Sequence, residues 1–242
     1  ELAATSMLAI LKAGQIPLRA EERGEGDPIV IGGGPAISNP HPFAFFLDAA
    51  FIGEGETAFC DLMAELGALK KAGAGRPELF ERLSQCESIW IPQRGSRPGH
   101  PARRAIFQGF SEADYHTANP IATLKIVQDH GTVEIMRGCP NGCRFCHAGY
   151  YYRPQRQKPF AVIDREVETL VNEGGYREIT LASLSSGDYT GIEGLLDELN
   201  ARYRSRGVSF QLPSLRVSTF TLPLLEKLSE VRKSGLTFAV ET

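Results

Sequence analysis

Thr132-Val-Glu-Ile-Met136 runs directly into Arg137-Gly-Cys-Pro-Asn-Gly-Cys-Arg-Phe-Cys-His147, and this junction of a strand-like run with a cysteine loop decides the fold. Cys139, Cys143 and Cys146 follow the spacing Cys-x3-Cys-x2-Cys, so one loop offers three thiolates. That is one short of the four cysteines that hold most iron–sulfur clusters. A [4Fe-4S] cluster on three cysteines keeps one iron open to an outside ligand. Gly138, Gly142 and Gly149 let the backbone bend around an inorganic core and leave amides free to bond its sulfides.

Zinc and unmetallated thiols are the competing readings. Structural zinc takes four ligands, usually from two spaced pairs. His147 could complete such a set, but it directly follows Cys146, and adjacent residues rarely chelate one tetrahedral ion. Five cysteines are an odd number for a disulfide framework, in a chain too large to need one.

Downstream, strand and helix patterns alternate. Ala161–Asn172, Ile192–Tyr203 and Leu222–Val231 read as helices, and Glu178–Ala182, Val208–Leu212 and Leu236–Val240 as strands. Repeated β–α units predict a parallel sheet curling into a full or partial barrel, with chemistry at the carboxyl ends of its strands. The cysteine loop follows the first of these strands. Arg137, Arg144, Arg153, Arg156 and Lys158 lie in or beside it with no acid between 137 and 158. They are expected to offset the net charge of about −1 on a three-thiolate cluster. Tyr150–Lys158 interleaves aromatics with bases and reads as a lid over the cluster, or as a surface for stacking on nucleotides.

Upstream, residues 1–72 alternate helix and strand. Thr5–Ala13, Phe43–Ala50 and Glu56–Lys71 read as helices, Pro28–Gly34 and Ala50–Gly53 as short buried strands ending in glycine turns. This predicts a Rossmann-like parallel sheet. Residues 73–130 are rich in Gly, Pro and Arg and read as a linker with short strands at Ser88–Ile91 and Leu124–Val127. Residues 131–242 form the barrel part. Arg94–Arg104 holds four arginines and no acid and reads as a solvated connector before a nucleic-acid contact.

The chain has 242 residues, 42% hydrophobic and 23% charged, enough for a sizeable core. A formal net charge of −3 argues against a surface devoted wholly to nucleic acid. No apolar run is long enough to span a bilayer and no signal peptide is visible, so no membrane partner is expected. Free cysteines with a cluster motif point to a reducing cytoplasm. Both ends read as cut, so half a Rossmann-like sheet followed by half a barrel is expected.

The Cys-x3-Cys-x2-Cys loop resembles that of radical S-adenosylmethionine (SAM) enzymes. The resemblance extends to His147-Ala-Gly-Tyr-Tyr-Tyr-Arg-Pro154, Pro213-Ser-Leu-Arg216 and Val231-Arg-Lys-Ser-Gly-Leu-Thr-Phe-Ala239. These match the subfamily in which a cobalamin-binding domain precedes the barrel. The resemblance implies an α/β fold, a partial Rossmann-like parallel sheet followed by a partial radical SAM (β/α) barrel. It also implies a [4Fe-4S] cluster on Cys139, Cys143 and Cys146, SAM on the open iron, and cobalamin as a further cofactor. Phe145 fills the slot that lies against the adenine of SAM, or shields the cluster.

By position the SAM amino group falls to Ser185 and Ser186, with Asp188 beside them in Ser183-Leu-Ser-Ser-Gly-Asp188; a helix N-cap is the competing explanation. Arg216, Ser218 and Glu241 fall toward the SAM carboxylate or ribose, and an arginine suits a carboxylate because it bonds bidentately. Gly32-Gly33-Gly34, Asp48 and Gly53-Glu54-Gly55 resemble the second half of the cobalamin domain; Asp-x-His-x-x-Gly, the motif of its first half, is absent from the chain. The implied partners are an electron donor such as flavodoxin or ferredoxin and a small-molecule or RNA substrate. The alternatives are a methylthiotransferase-like RNA modifier and a non-catalytic iron–sulfur or zinc RNA-binding module.

Overall fold

The computed structural model describes residues 4–92, 101–113, 121–124, 126–219, 221–232 and 238–239. The chain divides into two compact units, Glu1–Phe107 and Gln108–Thr242.

In the first unit, helix α1 (Ala4–Ala13) precedes β1 (Ile31–Gly32), β2 (Ala49–Phe51), α2 (Ala58–Lys71), α3 (Arg76–Gln85) and β3 (Ile89–Trp90). β2 is central, parallel to β1 and antiparallel to β3. Because side chains alternate along a strand, Ala49 and Phe51 join one cluster with Leu62, Leu83 and Ile89, while Ala50 joins another with Ile37 and Leu47. Residues 76–90, expected as linker, therefore belong to the packed sheet and its cover.

Phe43–Ala50 does not form the expected helix. His41–Phe43 is a single 3-10 turn and β2 begins at Ala49. The carbonyls that would continue a helix are taken elsewhere: Phe45 O accepts from Ala20 N (2.9 Å) and Phe46 O from Arg23 Nη2 (2.8 Å). Asp48 then fixes the strand entry. Its buried carboxylate accepts from Arg23 Nη1 (2.8 Å), Val30 N (2.7 Å) and Arg76 Nη2.

The second unit contains β4 (Gly131–Glu134), β5 (Met136–Arg137), α4 (His147–Tyr151), β6 (Arg156–Gln157), α5 (Phe160–Asn172), β7 (Glu178–Ala182), α6 (Ile192–Tyr203), β8 (Ser209–Gln211), β9 (Leu215–Arg216), α7 (Leu222–Ser229) and β10 (Phe238–Ala239). β4, β7 and β8 form a parallel sheet in that order, and β9 pairs in parallel with β10. This is the expected partial barrel; among the described residues the strands do not close. The core joins Val133, Ile135, Ile179, Leu181 and Phe210 of the strand segments to Ile163, Val167, Leu170, Leu196 and Leu199 of α5 and α6. The third strand is broken between β8 and β9, where Pro213 has no N–H to give and Ser214 takes a positive φ of 58°. Leu124, Ile126 and Val127 form no strand and stand exposed.

Candidate active site

The cysteine loop is closed at its base. β5 pairs antiparallel with β6, Met136 opposite Gln157 and Arg137 opposite Arg156, so residues 138–155 project from a two-stranded stem. Gly138 makes the exit possible: its φ is +84°, and a Cβ there would lie 2.7 Å from Tyr152 O. Within the loop Tyr150 donates to Gly142 O (3.1 Å), and Arg153 donates to Gly149 O (3.1 Å) and Asn141 O (3.2 Å). The Arg153 guanidinium also lies over the Tyr150 ring, 4.8 Å from its centre. The aromatic and basic stretch thus folds back as a brace for the loop, a role neither sequence reading gave it.

Cys139, Cys143 and Cys146 form no disulfide, and each is half-buried. Gly149 N donates to Cys146 Sγ (3.4 Å) and Asn141 Nδ2 to Cys139 Sγ (3.3 Å). Among the described residues no three His, Cys, Asp or Glu side chains converge as ligands of one ion. A four-iron cube asks for a different arrangement, with each thiolate at its own corner. Three thiolates on a loop that also turns N–H groups toward sulfur fit such a cluster.

Asn141 connects this loop to the strand ends. Its Nδ2 donates to Asp188 Oδ2 (2.7 Å), and its Oδ1 accepts from Arg216 Nη1. Ser185 Oγ donates to the same carboxylate oxygen (2.6 Å), and Arg216 Nη1 stands 4.0 Å from it. Cys139, Ser185, Asp188 and Arg216, picked out separately in the sequence, meet in one network at the ends of β7 and β9. Gly187 allows the approach: a Cβ there would lie 2.2 Å from Thr219 Oγ1.

The other candidates stand apart. Ser186 is fully buried, its hydroxyl 3.0 Å from Ser183 Oγ and 3.4 Å from Leu181 O. Ser218 is exposed, and so is Phe145, at 71%. Glu241 lies outside the described residues. The N-cap explanation fails for Ser185, whose side chain makes no cap bond, and α6 is entered through Gly191 at φ +77°.

Two of the expected loop cations are neutralised by acids outside the 137–158 window. Arg137 forks onto Glu134 (3.0 and 2.8 Å), and buried Lys158 pairs with buried Glu166 (2.5 Å). Both cations also approach the ring of fully buried Phe110, at 4.8 and 5.5 Å. Tyr189 donates to Lys158 O (2.8 Å); burial, and then the charge of Glu198, raises its pKa above the ordinary tyrosine value. Asn141 and Gln157 escaped the sequence reading. Gln157 donates to Asp188 O (3.5 Å) and accepts from Thr190 N (3.2 Å). Asn141 sits in Pro-Asn-Gly, which reads as turn chemistry and hides the amide's other use.

In the first unit Gly32–Gly34, Gly53 and Gly55 wall a cleft of about 180 Å³ with Ile31, Phe51 and Phe59. Packing within the unit already accounts for two of these glycines. A Cβ on Gly32 would meet Leu47 at 2.6 Å, and one on Gly53 would meet Ala105 N at 2.4 Å. Glu54 is also engaged internally, accepting from Phe107 N (3.0 Å) and pairing with Arg104 (3.5 Å).

Residues 1–92 match the family described as radical SAM proteins, N-terminal, and residues 133–242 match the radical SAM superfamily. The chain is 26% identical over 118 residues to a tRNA-2-methylthio-N(6)-dimethylallyladenosine synthase of Petrotoga mobilis, covering 47% of this chain and 27% of that protein. It is 27% identical over 214 residues to an uncharacterized protein of Methanocaldococcus jannaschii, covering 88% and 43%. Among solved structures, the radical SAM methyltransferase TsrM of Kitasatospora setae, with cobalamin and a [4Fe-4S] cluster bound, superposes with a TM-score of 0.54 at 16% identity. That superposition covers 86% of this chain and 41% of TsrM. The chain thus spans less than half the length of these relatives. The two matches stand in tandem, so the chain carries an N-terminal domain of the kind found in radical SAM proteins over residues 1–92 and a radical SAM domain over residues 133–242, with the cysteine loop in the second.

Proposed function

We propose that this chain is the catalytic part of a radical SAM enzyme, with Cys139, Cys143 and Cys146 as ligands of a [4Fe-4S] cluster. The observation that carries the reading is the network in which Asn141 joins Cys139 to Asp188 and Arg216. When bound, the cluster and SAM supply a carbon-centred radical by one-electron cleavage of the sulfonium C–S bond. The protein's part is to position. Arg216 offers a guanidinium to a carboxylate, and the Asp188 carboxylate suits an ammonium, which matches the two ends of an amino-acid moiety. Exposed Phe145 is free to lie on an adenine ring. A small one-electron donor protein supplies the electron.

Radical methyl transfer is the favoured reaction class, supported by the shared fold with TsrM. The cleft of about 180 Å³ is far smaller than a corrinoid, so it would form one wall of a cobalamin site and not the whole of it. A methylthiotransferase-like RNA modifier is the second reading, favoured by the local matches to tRNA methylthio synthases. Within this chain Cys60 and Cys86 do not make the second cysteine trio which that chemistry would use.

Anaerobic reconstitution tests the proposal. About four irons per chain, and a change in the reduced cluster's EPR signal when SAM is added, are expected. One zinc per chain with no response to SAM overturns it.

A further inference from the structure

Asn141 engages both N–H groups and the carbonyl of its side chain at the site. The amide donates to Cys139 Sγ (3.3 Å) and Asp188 Oδ2 (2.7 Å), and its carbonyl accepts from Arg216. A carboxylate only accepts and a guanidinium only donates, so these partners fix which way the amide points. A cation pulling on the carbonyl polarises both N–H groups, and the bonds strengthen one another along the chain. The charge state around Asp188 and Arg216 therefore reaches the Cys139 sulfur through one planar group.

We propose that Asn141 is a positioning residue that couples the occupancy of the Asp188–Arg216 end of the site to the electronic state of the cluster. The inference rests on the reading that Cys139 ligates the cluster and that Asp188 and Arg216 flank the amino-acid end of SAM. A carboxylate that takes the Arg216 guanidinium draws it from the Asn141 carbonyl, and the N–H on Cys139 Sγ weakens with it. Hydrogen bonds to cluster sulfurs favour the reduced state. By linkage, the cluster's redox state then feeds back on SAM affinity by the same factor.

The test compares wild type, Asn141→Ala and the exchange N141D/D188N, each reconstituted anaerobically. For each, iron content, the reduction potential with and without SAM, and the SAM dissociation constant are measured. The exchange keeps the net charge and lets the introduced carboxylate accept from both the introduced amide and Arg216, but it returns no N–H to Cys139. Asn141→Ala is expected to hold wild-type iron, to have a more negative SAM-free potential, and to show a much smaller shift of that potential on adding SAM than the wild type does. The exchange should likewise show a more negative SAM-free potential and a much smaller SAM-induced shift, and it should bind SAM more weakly because Asp188 belongs to the proposed SAM site.

An unchanged potential in Asn141→Ala, or a wild-type potential in the exchange, overturns the proposal. If Asn141→Ala holds no iron, the charge-neutral exchange decides by the same two measurements. A wild-type chain that takes up no iron defeats the cluster reading itself, which is a different result from a loaded wild type that the variants match.

Discussion

Lys158 Nζ lies 2.5 Å from Glu166 Oε1, with both side chains fully buried, so an ion pair ties the end of the loop's stem to helix α5. Removing one member of such a pair leaves an uncompensated buried charge. Lys158→Met should lower the stability of the cofactor-free chain by about 3–5 kcal/mol, whereas Lys158→Met/Glu166→Leu should regain most of that. Denaturant unfolding of both variants checks this. A double variant as unstable as the single one would mean that the pair matters for more than its charge balance.

Alkaline stability should depend on Tyr203. Its hydroxyl donates to Asp164 Oδ1 (2.9 Å), and burial, then this bond and the Asp164 charge, raise its pKa from 10.0. The folded state holds the proton where the unfolded chain releases it. The contribution is therefore complete below pH 10.0 and is lost as pH rises above it. Tyr203→Phe should cost about 1 kcal/mol at neutral pH and flatten the fall in stability above about pH 10. Unfolding midpoints from pH 7 upward read both effects.

Two glycines of the first unit should differ sharply in their tolerance of alanine. Gly53 has a φ of +126°, and its Cβ would lie 2.4 Å from Ala105 backbone atoms. Gly53→Ala should destabilise by about 3 kcal/mol or more. Gly33 has nothing within 4 Å of a Cβ. Gly33→Ala should leave stability within about 0.5 kcal/mol of wild type, so any change in corrinoid uptake by that variant would report binding alone.

Iron retention should follow the loop cysteines. Cys139→Ala, Cys143→Ala and Cys146→Ala should each lower bound iron from about four per chain to a small fraction of that. Cys60→Ala and Cys86→Ala should leave it unchanged, because neither thiol belongs to the Cys-x3-Cys-x2-Cys loop. Iron assay after anaerobic gel filtration separates the two groups.

Where apolar periodicity is strong, the sequence reveals the fold. β7 and α6 have the expected bounds because Ile179 and Leu181 alternate on a strand, and Leu195, Leu196 and Leu199 share one helix face. The stem β5–β6 has two residues a side, too few for any period to show. The expected helix at Phe43–Ala50 is cancelled by groups distant in sequence, the Ala20 N–H and the Arg23 guanidinium, that take its carbonyls. At the site, Cys139, Ser185, Asp188 and Arg216 were each legible from type and place. Their connector was not, because Asn141 and Arg216 stand 75 positions apart in the sequence and are brought together only by the fold.

The break at Pro213 and Ser214 separates two tasks within one strand. β8 keeps register with β7, while β9 takes its register from β10, Leu215 opposite Phe238 and Arg216 opposite Ala239. The guanidinium at the site is thus aimed by a ladder that the core sheet does not share. Changes at residues 213–214 or in β10 can re-aim Arg216 while β4, β7 and β8 stay as they are.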